Sequence, residues 1–352
     1  MRCQESGTSN LDAWNLTPGT HTFSWHLTPD TWNLFMAKQT YLVTGGAGFI
    51  GSHICERLAR DGHAVRVIDD LSSGKEKNLR DLGGDVELIR GDIRDPKLLA
   101  NIMRGVEVVF HQGALGSVPR SVADPLTTHE VNITGTLNVL LAARDAGVRR
   151  VVSASSSSIY GETPVLPKHE GMTPQPLSPY ALSKLAGEHY IRIFKQVYGF
   201  EAVALRYFNI FGPRQDPDSQ YAAVIPKFVS ALLEKRRPVV YGDGLQSRDF
   251  TYVENVVEAN LLAAVAEGAA GRAFNVGCGG RYSLLDLLAR LKAIIQSDIE
   301  PLHEPARAGD VRDSQASIDS ARESLGYQVA VGFEEGLTRT VEWYRDIESL
   351  NH

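Results

Sequence analysis

The sequence predicts an α/β protein: a Rossmann-type doubly wound parallel sheet with a smaller α/β lobe. Three observations predict it. Strand-like apolar runs alternate with helical patterns from residue 41 to about 205. A glycine-rich loop, Thr44-Gly45-Gly46-Ala47-Gly48-Phe49-Ile50-Gly51, joins the first strand to the first helix. Beyond residue 205 the regular alternation stops. Strands separated by helices of this length pair in parallel, with both faces covered and ligand sites at their carboxyl ends.

Residues 41–44 read as the first buried strand and 50–61 as its helix, with Ile50, Ile54, Leu58 and Ala59 at helical spacing. Residues 64–69 form a second strand that ends in an acid. A strand at 86–90 runs into Gly91-Asp92, followed by a helix near 96–104 and a strand at 106–111. A long helical pattern covers about 126–146, and 150–154 is a strand running into four serines; another helix is expected over 180–197. The tracts 212–218, 241–244 and 304–310 are turn-rich and suit an irregular, ligand-facing lobe, while 272–277 reads as a strand returning to the large sheet. The expected division is an extension over 1–37 and a nucleotide-binding domain over 38–208, to which 250–278 returns. The lobe then comprises 209–249 and 279–352.

At 352 residues the chain exceeds what one hydrophobic core usually serves, which agrees with a domain plus a lobe. A net charge of −6 and a pI near 5.9 argue against an extended nucleic-acid footprint, which needs a basic face. Cys3, Cys55 and Cys278 form no CxxC pair and are too few for a disulfide framework, and no metal site is expected. No apolar run nears the roughly 20 residues that span a bilayer, and the start lacks a secretory signal. A reducing, cytoplasmic setting with no membrane partner is the expectation. Residues 1–35 hold three of the four tryptophans, Trp14, Trp25 and Trp32. They read as a non-catalytic extension, with Met36 a candidate start; the alternative is an arm that docks through its aromatics.

Glycines at 45, 48 and 51 follow a GxxGxxG spacing. Small residues there let the backbone turn sharply and approach a pyrophosphate, to which the following helix presents unpaired N–H groups and a partial positive charge. Asp69, 18 residues after Gly51 at a strand end, supplies the carboxylate that accepts hydrogen bonds from an adenosine ribose. An acid there favours NAD over NADP, whose 2′-phosphate it would repel. Tyr180 and Lys184 sit four apart on a helix that Ser178 can cap and Pro179 can start, so both share one face. Alone, such a pair is an ordinary helix surface. After a nucleotide-binding half and the serine-rich end Ser155-Ser156-Ser157-Ser158, it reads as acid–base machinery, with the lysine cation expected to lower the phenol's pKa.

With these motifs in place, the chain resembles the extended short-chain dehydrogenase/reductases of the nucleotide-sugar epimerase group, from about residue 38 to 345. The resemblance implies NAD as cofactor, a UDP-sugar as substrate and a homodimer built through helices near 126–146 and 180–197. It makes Ser156, Tyr180 and Lys184 the catalytic set. Around the cofactor it places Gly45, Gly48, Phe49, Ile50, Gly51 and Asp69, then Ser73 and Gly74. Asp92 and Ile93 resemble the adenine contact, Gln112, Gly113 and Ala114 the strand end lining the cofactor, and Asn132 a helix residue beneath it, with Tyr207 nearby. Around the substrate it implies Ser117 and Ser157, and Asn209 for the diphosphate. Ala223, Val224 and Tyr241 resemble the parts flanking uracil. Arg248 and Arg307 match the diphosphate arginines, and Asp310 the uridine-ribose acid. A dianionic diphosphate in an acidic protein needs such guanidinium forks.

Related reactions carry other residues. Sugar 4,6-dehydratases of this group place an Asp-Glu pair near the catalytic serine, UDP-glucuronate decarboxylases a glutamate just after it, and UDP-glucuronate 4-epimerases a threonine where Asn209 stands. The expected reaction is therefore C4 epimerisation through a 4-keto sugar, with Tyr180 as base. The tract 114–121, with the stretch from 206 to 242, is similar to the UDP-N-acetylglucosamine 4-epimerase branch, and Ser314 falls at the gate beside the sugar ring, where tyrosine would exclude an N-acetyl group. The expected pair is UDP-GlcNAc and UDP-GalNAc. Alternatives are UDP-glucose and UDP-galactose, a UDP-glucuronate epimerase or decarboxylase, and, in a different class, a catalytically silent NAD sensor.

Overall fold

Seven strands pair in one parallel sheet in the computed structural model, which describes residues 38–80, 82–217, 223–305 and 311–350. The expected extension over 1–37 lies outside the described residues. The strands are β1 (Thr40–Thr44), β2 (Ala64–Asp69), β3 (Asp85–Arg90), β4 (Val108–His111), β5 (Arg150–Ser156), β6 (Ala202–Tyr207) and a seventh, Ala273–Val276. Across the sheet they run Ala273–Val276, β6, β5, β4, β1, β2, β3. Every neighbouring pair is parallel. The chain winds outward from β1 to β3 and crosses back to β4, so the winding reverses between β1 and β4, and a crevice opens at their carboxyl ends.

Strand residues alternate between two buried cores, as the two-residue period of a strand requires. Tyr41, Val43, Val65, Val67, Val108, Phe110, Val152, Val203 and Leu205 face a core shared with Ile54 and Leu58 of helix Phe49–Arg60 and with helix Val253–Val265. Leu42, Ile68, Val109, Val151, Ala202 and Ala204 face the other, closed by Val139 and Leu140 and by Ile191 and Phe194 of helix Pro179–Tyr198. A third core gathers Phe228, Leu232, Leu287, Leu291, Phe333, Leu337 and Val341. Residues Ala316, Ile318, Ala321, Leu325 and Tyr327, assigned to the lobe by sequence, join the large sheet's first core instead.

The long helical pattern at 126–146 is broken. Helix Pro125–His129 passes through a π-helical turn, Glu130–Thr134, before helix Gly135–Asp145. The widened turn carries Asn132, which is pinned from outside the helix: its Oδ1 accepts from Leu115 N at 2.8 Å and its Nδ2 donates to Leu115 O at 3.2 Å and Ser183 Oγ at 3.0 Å. Such turns collect at functional sites. Helix Pro179–Tyr198 begins as expected, with Ser178 Oγ accepting from Ala181 N at 3.1 Å and Pro179 in the first turn, and it ends at left-handed Gly199. Among the described residues, no helix is long and apolar enough to cross a membrane, and no group of three or more metal-ligating side chains occurs.

Candidate active site

The glycine loop between β1 and helix Phe49–Arg60 occupies the crevice. Gly45 has φ +66°, and a Cβ there would meet Gly113 Cα at 2.8 Å; one on Gly51 would meet Gly45 O at 2.2 Å. Only glycine fits either position, and the close approach keeps the loop flat against the end of β4. The helix begins at Gly48 with no side-chain cap and no acid in its first turn, so its positive end and free amides face the crevice. Ala47 N instead donates to Asp69 Oδ2 at 2.9 Å, and Leu71 N to Oδ1 at 2.9 Å. Burial raises the Asp69 pKa against these two amides. Gly74 packs on the same carboxylate, where a Cβ would lie 2.7 Å from Oδ1, while Ser73 beside it is exposed. Phe49 and Ile50 open the helix, each partly exposed. An open helix end, a side-chain-free cradle and a carboxylate at the tip of β2 fit a dinucleotide.

Asp92 is fastened to Arg94, whose Nη2 lies 2.6 Å from Oδ2, and this hydrogen bonding holds its carboxyl below the usual range. Ile93 is buried against Gly135, where a Cβ would meet Ile93 Cδ1 at 2.7 Å. Tyr207 and Gln112 meet at 3.1 Å, and both bond to Asn260. Burial pushes the Tyr207 phenol well up. At the end of β4 a relay fixes the histidine tautomer. Gly113 N donates to Thr44 Oγ1 at 3.0 Å, and Thr44 Oγ1 lies 2.7 Å from His111 Nδ1. His111 Nε2 lies 2.9 Å from Thr136 Oγ1, which donates to Asn132 O at 2.6 Å. His111 is therefore neutral with its proton on Nε2, and burial, then the Lys184 charge, push its pKa down to about 3.

Ser156, Tyr180 and Lys184 converge at the end of β5. Ser156 Oγ accepts from Ser158 N at 3.2 Å and from Ser158 Oγ at 2.9 Å. Hydrogen bonding between Ser156 and the Tyr180 phenol favours phenolate. Burial outweighs it, so the Tyr180 pKa stands above its ordinary value. The sequence expectation of a phenol lowered by Lys184 is corrected here. Lys184 Nζ donates to Ala154 O at 2.8 Å, and burial holds its own pKa down to about 8. One of the lysine's donors goes to a strand carbonyl, and burial weakens its hold on the charge.

The substrate-side residues fall in several places. Ser117 caps helix Val118–Ala123, accepting from Arg120 N at 3.1 Å, and Ala114 lies in the preceding loop. Ser157 opens the short turn after β5. Asn209 has φ +39° and donates from Nδ2 to Asp249 O at 3.0 Å. Arg248 donates to Ser247 O at 2.9 Å and Arg312 O at 3.1 Å, and Ser314, 6% exposed, donates its amide to Ser247 O at 3.1 Å. Ala223 and Val224 start helix Val224–Leu233, and Tyr241 ends the strand Val239–Tyr241. Arg307 and Asp310 lie outside the described residues.

Two groups escaped the sequence reading. Asp249, fully buried, accepts from Cys278 N, Gly279 N and Ala316 N at 2.9–3.0 Å, and burial pushes its carboxyl up to about 6 against those amides. It ties the Asn209 and Arg248 segment to residues 277–279 and 316. Glu188, on the helix of Tyr180 and Lys184, forms a buried salt bridge with Arg206. Asp249 carried only its place after Arg248 as a signal; Glu188 carried its helical spacing from Lys184.

A profile of the NAD dependent epimerase/dehydratase family matches residues 41–277. UDP-glucose 4-epimerase of Mycolicibacterium smegmatis is 41% identical over 309 residues, which covers 87% of this chain and 98% of that protein. UDP-N-acetylglucosamine 4-epimerase from Methanobrevibacter ruminantium, solved in complex with UDP-N-acetylmuramic acid, has a TM-score of 0.85 at 41% identity and covers 89% of this chain and 100% of that one. The Thermus thermophilus UDP-glucose 4-epimerase complex with NAD has a TM-score of 0.80 at 38% identity, covering 87% and 99%. The fold and the crevice thus define an NAD-dependent enzyme of the extended short-chain dehydrogenase/reductase class. This chain belongs to the NAD dependent epimerase/dehydratase family, as its motifs imply.

Proposed function

We propose that the protein interconverts UDP-GlcNAc and UDP-GalNAc by epimerisation at C4, with UDP-glucose and UDP-galactose as poorer substrates. The observation that carries the reaction type is the convergence of Ser156, Tyr180 and Lys184 at the end of β5, where Ser156 hydrogen-bonds the phenol and Lys184 Nζ donates to Ala154 O. NAD, when bound along the glycine loop and Asp69, supplies a hydride acceptor and donor for sugar C4. Tyr180 takes the O4 proton and returns it, and Ser156 steadies the phenolate and the sugar oxygen. Lys184 lies one helical turn on and supplies ammonium donors for the nicotinamide ribose. Thr44, His111 and Thr136 hold the floor of the crevice without exchanging charge. Asn209, Arg248, Arg307 and Asp310 grip the uridine diphosphate, flanked by Ala223, Val224 and Tyr241, with Ser117 and Ser157 at the sugar. The remaining cofactor contacts are those implied by resemblance, Ser73, Gly74, Asp92, Ile93, Gln112, Ala114, Asn132 and Tyr207 among them.

The N-acetyl preference rests on Ser314, whose position resembles the family's gate beside the sugar ring and whose side chain is small, and on the similarity to a UDP-N-acetylglucosamine 4-epimerase. The deciding experiment is a coupled assay of purified protein, without added NAD, on UDP-GlcNAc, UDP-galactose and UDP-glucuronate. UDP-GlcNAc turnover that falls by about 10²–10⁴-fold in Tyr180→Phe is expected. Inertness toward all three, even with NAD supplied, would overturn the C4 assignment. A homodimer in the cytoplasm completes the proposal. Its support is an apolar face in which Val122, Leu126, Leu177, Leu182 and Val197 are each more than half exposed, on and beside helices Val118–Ala123, Pro125–His129 and Pro179–Tyr198.

A further inference from the structure

Glu188 lies on helix Pro179–Tyr198 one turn beyond Lys184 and two beyond Tyr180, on the same side of the helix. Its carboxylate receives both prongs of Arg206, Nε at 2.9 Å on Oε1 and Nη2 at 2.7 Å on Oε2. Oε1 also accepts from Ser155 Oγ at 2.5 Å. The third nitrogen of Arg206 donates to the Tyr160 hydroxyl at 2.7 Å, which donates to Asn275 Oδ1 at 2.7 Å. The Glu188 and Arg206 side chains are 8% and 6% exposed, so both charges are out of water.

Burying such a pair is a poor way to add stability, because desolvation consumes most of the Coulombic gain and apolar replacements often do as well. What the pair does supply is geometry. A bidentate fork fixes distance and angle together. Ser155 and Arg206 face each other in register across β5 and β6. Ser155 also stands between Ala154, whose carbonyl holds Lys184, and Ser156, which bonds Tyr180. One carboxylate therefore ties the helix that carries two members of the reaction centre to the strand end that carries the third.

We propose that Glu188 and Arg206 are positioning residues for the epimerisation: through Ser155 they hold the Tyr180 and Lys184 helix in register with the strand end at Ala154 to Ser156. The proposal rests on the assignment of Ser156, Tyr180 and Lys184 made above. Its signature is a loss in the chemical step without a loss in binding, since the side-chain hydrogen bonds of the pair go to Ser155 and Tyr160 and not to the glycine loop, Asn209 or Arg248.

The test uses the full chain with its retained NAD. Ser155→Ala removes only the hydroxyl that connects the carboxylate to the strand and leaves the salt bridge in place. Glu188→Met combined with Arg206→Met replaces the charges by apolar chains of similar length and leaves no unpaired ion. Ser155→Ala is expected to lower kcat about tenfold, and the double variant about a hundredfold, with KM and NAD content near wild type, as misplacement of reacting groups by an ångström does. Glu188→Gln, which keeps an acceptor for Ser155 and Arg206, is expected to fall between wild type and the double variant. A Ser155→Ala protein with wild-type kcat, or a loss expressed in KM alone, overturns the proposal, and this single variant decides the matter if the double variant does not fold. Tyr180→Phe separates the two readings. If it keeps turnover, the assignment of the reaction centre fails. If it is inactive while Ser155→Ala and the double variant run at the wild-type rate, only the positioning role fails.

Discussion

Tyr180 works against its surroundings. Burial favours the neutral phenol, and hydrogen bonding to Ser156 pulls the other way, so in the proposed reaction Tyr180 must first be ionised before it can take the O4 proton and later return it. Ser314 is the residue on which substrate choice turns in the proposal. It is 6% exposed and its amide is fixed to Ser247 O, so a larger side chain has little backbone freedom to turn aside. Ser314→Tyr is expected to lower kcat/KM for UDP-GlcNAc at least about tenfold while sparing UDP-galactose, because an overfilled pocket rejects the substrate with the extra acetamide. Parallel kcat/KM measurements on both substrates check this; an unchanged UDP-GlcNAc value would remove the gate.

The glycine loop depends on two close approaches, Gly45 against Gly113 and Gly51 against Gly45, and each closes if a methyl group is added. Gly45→Ala is expected to destabilise the fold by about 2 kcal/mol or more, from the left-handed backbone and the contact with Gly113. It should also deplete bound NAD. Denaturant midpoints, together with the NAD released per chain on unfolding, check both effects. Elements of this kind were legible in the sequence because their residue types have few other uses: glycines at fixed spacing, an acid at a strand tip, a Ser-Pro start before a tyrosine and a lysine on one face. The π-helical turn at Glu130–Thr134 was not legible, because no local residue type marks it and the partners that hold its Asn132, Leu115 and Ser183, are distant in sequence. Glu188 stayed hidden for a related reason. Its partner Arg206 is 18 residues away on another element, and charge on a helix gives no sign of facing inward.

At the scale of the molecule, the parallel sheet and its two-sided burial follow from alternation, whereas the strand order, the reversal between β1 and β4 and the destination of residues 316–327 do not, since alternation leaves the order open and a short amphipathic helix suits either core. The exposed apolar face beside helix Pro179–Tyr198 has a direct test. Wild-type protein is expected to sediment as a dimer, and Leu126→Glu with Leu182→Glu as a monomer, because a carboxylate in an apolar interface forfeits its hydration. Sedimentation of wild type as a monomer at micromolar concentration would discard the interface.

The seventh strand, Ala273–Val276, adds to β6 at the sheet's edge only after the chain has passed through the segments around helix Val224–Leu233. Tyr327 then seals that edge, its hydroxyl donating to Gly277 O at 2.9 Å. A growing polypeptide on the ribosome therefore carries the glycine loop and Asp69 long before it can cover β6, whose outer backbone edge waits for Ala273–Val276 and whose Val203 and Leu205 face waits for helix Val253–Val265. Pairing across such a gap is slow, because the intervening loop must close before the strand is rewarded. Until that strand is made, the open edge of β6 is a template on which another chain could pair.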